Sequence, residues 1–263
     1  MLGAIIGDIA GSRFERFNHR SKEFELLSPD LCRPTDDSIM TLAVAEALLA
    51  AGGALEPLPG AAVRSMQKLG RLYPNAGYGG KFYHWLFAQD PRPYGSYGNG
   101  AAMRVSPCGY AARTLEEALS FADAVTAVSH DHPESFKAAR AVSAAIFLAR
   151  HGASKEEIRA HVEENYYQID FTPDTIRDVY RFDVSCQGSV PQAFSAFYAA
   201  TDYEDTVRTA ISIGGDSDTI AAIAGGVAAA HYGIPADLRA RALPFLDDTQ
   251  KKILFDLEEK YGK

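Results

Sequence analysis

The chain has 263 residues and a formal net charge of -8, from 26 Lys and Arg against 34 Asp and Glu. Hydrophobic residues make up 47% and charged residues 23% of the sequence, which excludes a disordered or fibrous protein and predicts one globular domain over residues 1–263. The acidic balance, with no dense cluster of Lys and Arg, argues against general nucleic-acid binding.

The N-terminal segment gives no sign of export. Residues 1–8 are apolar, but no basic segment precedes them and Asp8 interrupts them too early for a signal peptide. The longest uncharged stretch of membrane-like composition, residues 219–232, is shorter than the about 20 residues that cross a bilayer. The three cysteines form no Cys-x-x-Cys pair, which is typical of reduced thiols. We therefore expect a soluble, cytoplasmic protein with no membrane partner.

Helix signals recur along the chain, whereas alternating strand patterns are almost absent, so we predict an all-α, compact multi-helix bundle. Capping boxes are expected at Thr114 with Glu117 and at Ser154 with Glu157, and Thr172 precedes a proline at a first helical position. Amphipathic patterns predict helices over residues 38–51, 61–72, 80–88, 133–151, 190–200, 204–213, 219–231, 235–242 and 248–260. The irregular segments are residues 14–34, 72–79 and 89–100, and such loops often bind ligands.

Two helical segments are unusually rich in Ala and Gly, residues 3–11 and 221–226. Small side chains let helix backbones approach closely. We therefore expect these two segments to form the centre of the bundle.

Two acidic clusters stand at predicted helix starts. Thr35, Asp36 and Asp37 precede one apolar helix, and Asp216, Asp218 and Thr219 open another. A single cap residue is enough for a helix start, so each cluster exceeds what capping requires. If the clusters face each other, their four carboxylates need two divalent cations, and all-oxygen ligation favours Mg²⁺ first and Mn²⁺ second.

The segment His130-Asp131-His132 could form half of a zinc site, but no third His or Cys follows at ligand spacing. His132 precedes a proline and is better explained as part of a helix start. Arg104 could serve as a cation for an anionic ligand or form an ion pair inside the scaffold.

The motifs together resemble those of the ADP-ribosylglycohydrolases, a family that includes dinitrogenase reductase-activating glycohydrolase and the arginine- and serine-directed ADP-ribosyl hydrolases. The resemblance covers residues 3–235. It rests on five motifs in the family's order: Gly-Asp-x-x-Gly-Ser at 7–12, Thr-Asp-Asp-Ser at 35–38, Gly-Asn-Gly-x-x-Met-Arg at 98–104, Ser-His at 129–130 and Gly-Gly-Asp-Ser-Asp-Thr at 214–219. It implies about a dozen helices around a binuclear Mg²⁺ or Mn²⁺ centre, and cleavage of the glycosidic bond at C1″ of ADP-ribose.

The resemblance also assigns roles to individual residues. The metal ligands would be Thr35, Asp36, Asp37, Asp216, Asp218 and Thr219. Asp37 or Asp218, or a mobile Glu15, would help to deprotonate the attacking water, although Glu15 could equally be a solvated loop acid. Gly95, Ser96 and Tyr97 would contact the diphosphate or distal ribose, Asn99 the ribose near the metals, and His130 the diphosphate or adenosine. Glycines suit such a loop because backbone amides can turn toward phosphate oxygens.

Alternatives remain at this point. All-α isoprenoid synthases also hold Mg²⁺ with aspartates, but they need Asp-Asp-x-x-Asp, and Asp36-Asp37 lacks the third acid. A non-catalytic ADP-ribose-binding module is disfavoured because all six ligand positions are intact. The partner would be an ADP-ribosylated protein or small ADP-ribose conjugate, with arginine as the preferred acceptor over serine-linked or other O- or N-linked forms, and we expect a monomer.

Overall fold

The computed structural model describes residues 1–262, which form fifteen α-helices, one 3-10 helix and no β-strand. In chain order the α-helices are α1 (Leu2–Gly11), α2 (Asp36–Ala50), α3 (Leu58–Leu72), α4 (Gly80–Phe87), α5 (Gly100–Met103), α6 (Ser106–Ala111), α7 (Leu115–Ala127), α8 (Pro133–Arg150), α9 (Lys155–Asn165), α10 (Pro173–Ile176), α11 (Cys186–Ala199), α12 (Tyr203–Ser212), α13 (Ser217–Tyr232), α14 (Ala236–Ala242) and α15 (Asp248–Tyr261). The 3-10 helix spans Leu243–Phe245. The all-α prediction is confirmed.

Most predicted helices match the observed bounds within three residues, and the largest difference is at α11. This helix begins at Cys186 rather than at residue 190, because the Ser185 hydroxyl accepts the backbone N–H of Gly188 and caps it. Gly188 and Pro191 in its first turns conceal the helix in the sequence. The short helices α5 and α6 were not predicted, because they contain too few residues to show a helical period of hydrophobic residues.

The predicted helix caps have different outcomes. Ser154 and Glu157 form the expected reciprocal capping box at α9. At α7 the Thr114 hydroxyl accepts the Glu117 N–H, but the Glu117 carboxylate accepts the N–H of Arg113 instead of that of Thr114. The reciprocal half of that capping box was therefore wrong, because Arg113 also offers its guanidinium to the same carboxylate.

Helices α1 and α13 pack against each other at the centre, as the Ala and Gly content predicts. A Cβ added to Gly7 would lie 2.1 Å from the Ala221 carbonyl oxygen, and one added to Gly11 would lie 2.4 Å from the Asp218 Cα. Both distances are shorter than van der Waals contact, so only glycine permits this approach. The packing fixes the start of α13, with Asp218, against the end of α1.

Buried hydrophobic side chains between Met1 and Leu257 form one continuous cluster. No helix within residues 1–262 combines the length and hydrophobicity needed to cross a bilayer. The single-domain organisation and the monomeric state stay predictions.

Candidate metal centre and ligand cavity

The two acidic clusters occupy the N-terminal ends of α2 and α13. Thr35 and Asp216 are the N-cap residues, but neither side chain accepts a capping hydrogen bond. The interpretation of these clusters as ordinary caps is therefore wrong. The partly positive ends of both helices favour ionised carboxylates at these places.

The turn that leads into α13 depends on glycine. Gly214 and Gly215 have φ angles of 78° and 70°, in the region that side chains rarely adopt. A Cβ on Gly215 would lie 2.3 Å from the Tyr180 ring. The Gly215 N–H donates to the Asn18 side-chain oxygen. This turn therefore sets the direction in which Asp216 and Asp218 point.

The structure brings the clusters together. The Thr219 hydroxyl donates to the Asp37 carboxylate at 3.2 Å, which joins α13 to α2. One carboxylate oxygen each of Asp8, Asp37 and Asp218 lie within 4.8 Å of one another, and all three residues are buried.

Asp8 supports the cluster from α1. Its carboxylate accepts the backbone N–H and hydroxyl of Thr35 and the backbone N–H and hydroxyl of Ser38. These four hydrogen bonds fix the first turn of α2. Asp8 therefore orients the neighbouring ligand candidates. An acid inside an otherwise apolar helix was the sequence signal for this role, which the sequence analysis did not assign.

Asp216 is oriented from a different element. The Asn99 side-chain amide donates to the Asp216 carboxylate at 2.6 Å and to the Ser189 hydroxyl at 2.9 Å. Asn99 precedes α5, and Ser189 lies in α11. Three separate elements are thus joined through the Asn99 side chain, and sequence alone did not indicate Ser189.

The electrostatics of the centre call for cations. Burial, reinforced by neighbouring carboxylates, raises the pKa of Asp36 to about 8 and the pKa values of Asp37 and Asp218 well above their ordinary range. Burial also raises the pKa of Asp216 to about 6, with the Asn99 hydrogen bond opposing the shift. The buried Asp37 Oδ1 atom has no hydrogen-bond partner within residues 1–262. An oxygen-only donor set with a free buried carboxylate oxygen fits a hard divalent cation.

The acidic centre forms one wall of a cavity of about 340 Å³. The same cavity is also lined by Ser96, Gly98 and Gly100 of the glycine-rich segment together with Arg104 and His130. Of the predicted site residues, those that line the cavity are Glu15, Asp36, Asp37, Ser96, Asn99, His130, Asp216, Asp218 and Thr219.

Three predicted site residues do not line the cavity. Thr35 is buried beside it, with its hydroxyl bonded to Asp8. Gly95 directs its N–H to the Asp131 carboxylate. Tyr97 is 52% exposed and packs its ring edge against His132.

Arg104 is not in a scaffold ion pair. Its side chain is completely buried, and no carboxylate within residues 1–262 lies at ion-pair distance from it. It donates instead to the Val125 carbonyl and the Ser129 hydroxyl. The ion-pair interpretation was therefore wrong. His132, by contrast, caps α8 by accepting the Glu134 N–H, which agrees with its expected place at a helix start.

Comparison with known proteins gives a consistent result. The sequence model of the ADP-ribosylglycohydrolase family matches residues 1–260. The ADP-ribosylhydrolase ARH3 of Mus musculus is 26% identical, over 89% of this chain and 83% of the mouse protein. The ADP-ribosylarginine hydrolase Tri1 of Pseudomonas putida (strain GB-1) is 26% identical, over 89% of this chain and 70% of its own length.

A solved structure described as an ADP-ribosylglycohydrolase-related protein complex superposes with a TM-score of 0.71, over 99% of this chain and 95% of that chain, at 24% identity. That similarity shows the fold, while the family match extends over nearly the whole sequence. The resemblance inferred from the five motifs is thereby confirmed. The chain belongs to the ADP-ribosylglycohydrolase family and is a glycohydrolase, an enzyme that hydrolyses ADP-ribose conjugates.

Proposed function

We propose that this protein cleaves the glycosidic bond at C1″ of ADP-ribose attached to an arginine side chain of a protein. One observation carries the proposal: the acidic centre and the glycine-rich segment with His130 line a single cavity. ADP-ribose has two groups that match them, a distal ribose with neighbouring hydroxyls and the diphosphate attached to it. The relative named ADP-ribosylarginine hydrolase supports arginine as the acceptor.

In this proposal the centre holds two divalent cations, Mg²⁺ or Mn²⁺. Their ligands would be Thr35, Asp36, Asp37, Asp216, Asp218 and Thr219, six oxygen-bearing side chains at two helix starts. When bound, such a pair would neutralise the carboxylates, hold the 2″ and 3″ hydroxyls of the distal ribose and lower the pKa of a water.

The protein's own residues would direct the hydrolysis. Water attacks C1″ and passes a proton to a carboxylate of Asp37, Asp218 or Glu15, while the bond from C1″ to the acceptor nitrogen breaks. Its electron pair goes to the guanidino group, which leaves as the free arginine side chain and takes up a proton from solvent water. Glu15 lines the cavity, and its charge helps to raise the pKa values of Asp36 and Asp218. It therefore lies within electrostatic reach of the centre, which favours a catalytic role over that of a solvated loop acid. Asn99 would keep Asp216 oriented throughout.

Glu15→Gln tests that role, with Glu23→Gln in the same loop as the matched control. Glu23 is exposed and does not line the cavity. We expect the Glu15 variant to lose turnover by at least about 100-fold while metal content stays unchanged, since general-base catalysis contributes roughly 10²–10⁴-fold. Wild-type turnover in Glu15→Gln would remove Glu15 from the mechanism.

The experiment for the function as a whole is ADP-ribose release from a panel of conjugates linked through arginine, serine, carboxylate groups and nucleic acid. We expect the fastest release from ADP-ribosyl-arginine, loss of release in excess chelator, and recovery on addition of Mg²⁺ or Mn²⁺. Preferred release from serine would reassign the acceptor. ADP-ribose binding without release from any conjugate would instead indicate a non-catalytic binding module.

A further inference from the structure

A buried cation, Arg104, is among the residues that line the cavity of the acidic centre. The Arg104 guanidinium is fully buried, and its Nη2 donates to the Val125 carbonyl at 3.1 Å and to the Ser129 hydroxyl at 2.9 Å. Its Nε has no hydrogen-bond partner in the part of the chain that the structure describes. Burial lowers the pKa of Arg104 to about 10, so the side chain keeps its charge at neutral pH.

The Ser129 hydroxyl links the Arg104 guanidinium to the His130 imidazole. The Ser129 hydroxyl is buried and lies 2.8 Å from the Nδ1 of His130. A guanidinium can only donate, so the Ser129 oxygen accepts from Arg104 and its single proton remains available for the imidazole. If Nδ1 carried a proton, the buried hydroxyl hydrogen would have no acceptor, which is unfavourable. The favoured arrangement therefore has Nδ1 as acceptor and the ring proton on Nε2.

The Nε2 atom of His130 faces the cavity. It has no hydrogen-bond partner within residues 1–262, and a Cβ added to Gly100 would lie 3.3 Å from it. The rings of Phe82 and Tyr94 pack on the imidazole, with centroids 5.9 Å and 5.6 Å away. The imidazole plane is thus held by aromatic neighbours, and Gly98 and Gly100 leave the approach to Nε2 open.

We propose that Arg104 and Ser129 are positioning residues that hold His130 with its proton on Nε2, so that the imidazole donates to an anionic oxygen of the ligand. The identity of that ligand, an ADP-ribose group, rests on the proposed function. Burial and the nearby Arg104 charge lower the pKa of His130 well below its ordinary value, which keeps the ring neutral. His130 is then a fixed neutral donor, and the unpaired Arg104 charge adds a positive potential where the diphosphate binds.

The first test is the tautomer of His130, read from ¹⁵N chemical shifts of the ring in the ligand-free protein. We expect a protonated Nε2 and an unprotonated Nδ1 in the wild type, and a mixture of the two tautomers in Ser129→Ala. A proton on Nδ1 in the wild type, or an unchanged tautomer ratio in Ser129→Ala, would overturn the proposal.

The second test is a double-mutant cycle on ADP-ribose affinity at saturating Mg²⁺, measured by calorimetry. Ser129→Ala should weaken binding about fivefold, the effect of one neutral hydrogen bond. In a His130→Ala background the same change should have almost no further effect, because the donor it positions is gone. Equal losses in both backgrounds would mean that Ser129 has only a structural role and would contradict the proposal.

Ser143→Ala is the matched control. Ser143 is also fully buried, and its hydroxyl donates to the Ala118 carbonyl away from the cavity. It should change stability about as much as Ser129→Ala but leave both the His130 tautomer and ADP-ribose affinity unchanged. Neither readout needs turnover, so the two proposals can fail separately. If the protein binds ADP-ribose and has the expected His130 tautomer but hydrolyses no ADP-ribose conjugate, only the proposed function is refuted.

Discussion

The cavity lining has two parts, called the acidic end and the glycine-rich end, which are built and charged in opposite ways. The acidic end is formed by the first turns of α2 and α13, with Asp8 of α1 buried behind them. The other end is formed by residues 96–100, which are mostly irregular, and by the segment after α7 that carries Ser129 and His130. The acidic end has raised carboxylate pKa values and needs cations, whereas the other end contains a buried arginine that needs an anion.

This difference suggests a division of labour. In the proposed function, the acidic end would fix one point of the substrate through metal ligands on a rigid helix pair. The other end would give anion affinity through a few polarised donors on shorter elements. Within residues 1–262 neither Arg104 nor the carboxylates of the acidic end form an ion pair, so we expect bound metal and ligand to balance these charges.

The largest expected effect comes from breaking the acidic end with Asp218→Asn. Turnover should fall by more than about 100-fold, beyond the loss typical of residues that only orient a ligand. In chelator, the free energy of unfolding should rise or stay equal, since a buried carboxylate that faces Asp37 is removed. With Mg²⁺ at 100 times its dissociation constant, the unfolding free energy of the wild type should rise by about 2.7 kcal/mol for each bound ion, and that of the variant should rise less.

Denaturant unfolding with and without Mg²⁺ measures this prediction. Asp256→Asn is the control, because Asp256 lies on the surface in an ion pair with Lys252. An equal Mg²⁺-dependent gain in Asp218→Asn and wild type would contradict a metal role for Asp218.

Gly7→Ala tests the rigidity of the helix pair behind the acidic end. The added Cβ would meet the Ala221 backbone at 2.1 Å, so α1 and α13 must separate, at a cost of about 3 kcal/mol in unfolding free energy. Metal affinity should fall as well, since Asp8 and Asp218 move apart.

Gly60→Ala is the matched control for that change. Gly60 is an exposed helical glycine whose added Cβ would approach only the flexible Arg64 side chain. It should be neutral or stabilise by up to about 1 kcal/mol. Equal stability of the two variants in thermal unfolding would show that the helix contact tolerates a methyl group.

A smaller effect is expected at the junction of the two ends. Asn99→Ala removes the donor that orients Asp216 and should lower metal affinity or turnover about 10- to 100-fold. Ser189→Ala removes only the other partner of Asn99 and should cost a few-fold at most. Steady-state kinetics of the two variants measure these losses. A greater loss of turnover in Ser189→Ala than in Asn99→Ala would contradict this arrangement.

The smallest effects are expected in the glycine-rich segment, where substitutions of Ser96 and Tyr97 should differ in their effect on ADP-ribose affinity. Ser96 lines the cavity, and its hydroxyl accepts the Gly98 N–H, so Ser96→Ala should weaken ADP-ribose binding about fivefold. Tyr97 is largely exposed, and Tyr97→Ala should change affinity about twofold or less. A larger loss in the Tyr97 variant would place its ring on the bound ligand.

The two ends also differ in how far the sequence predicted them. The acidic end consists of contiguous motifs at helix starts, so Asp36, Asp37, Asp216 and Asp218 could be selected by charge and spacing alone. The close packing of α1 on α13 followed from the Ala and Gly content. The role of Asp8 was missed because its partners, Thr35 and Ser38, lie 27 and 30 residues away.

At the other end the decisive contacts are long-range. Arg104 reaches Ser129 across 25 residues, and Asn99 reaches Asp216 across 117. Such pairings depend on how α5, α7 and α13 pack, which no local pattern encodes. Helices α5 and α6 escaped prediction for a related reason, since tertiary contacts rather than an amphipathic period stabilise them.

The most direct test of the account compares ADP-ribose affinity of the wild-type protein in chelator and in saturating Mg²⁺ by calorimetry. Without cations, the acidic end should repel the anionic ligand and leave its ribose unheld, so binding should be at least about tenfold weaker than with Mg²⁺. Equal affinity in the two conditions would contradict the claim that the metal centre completes the binding site.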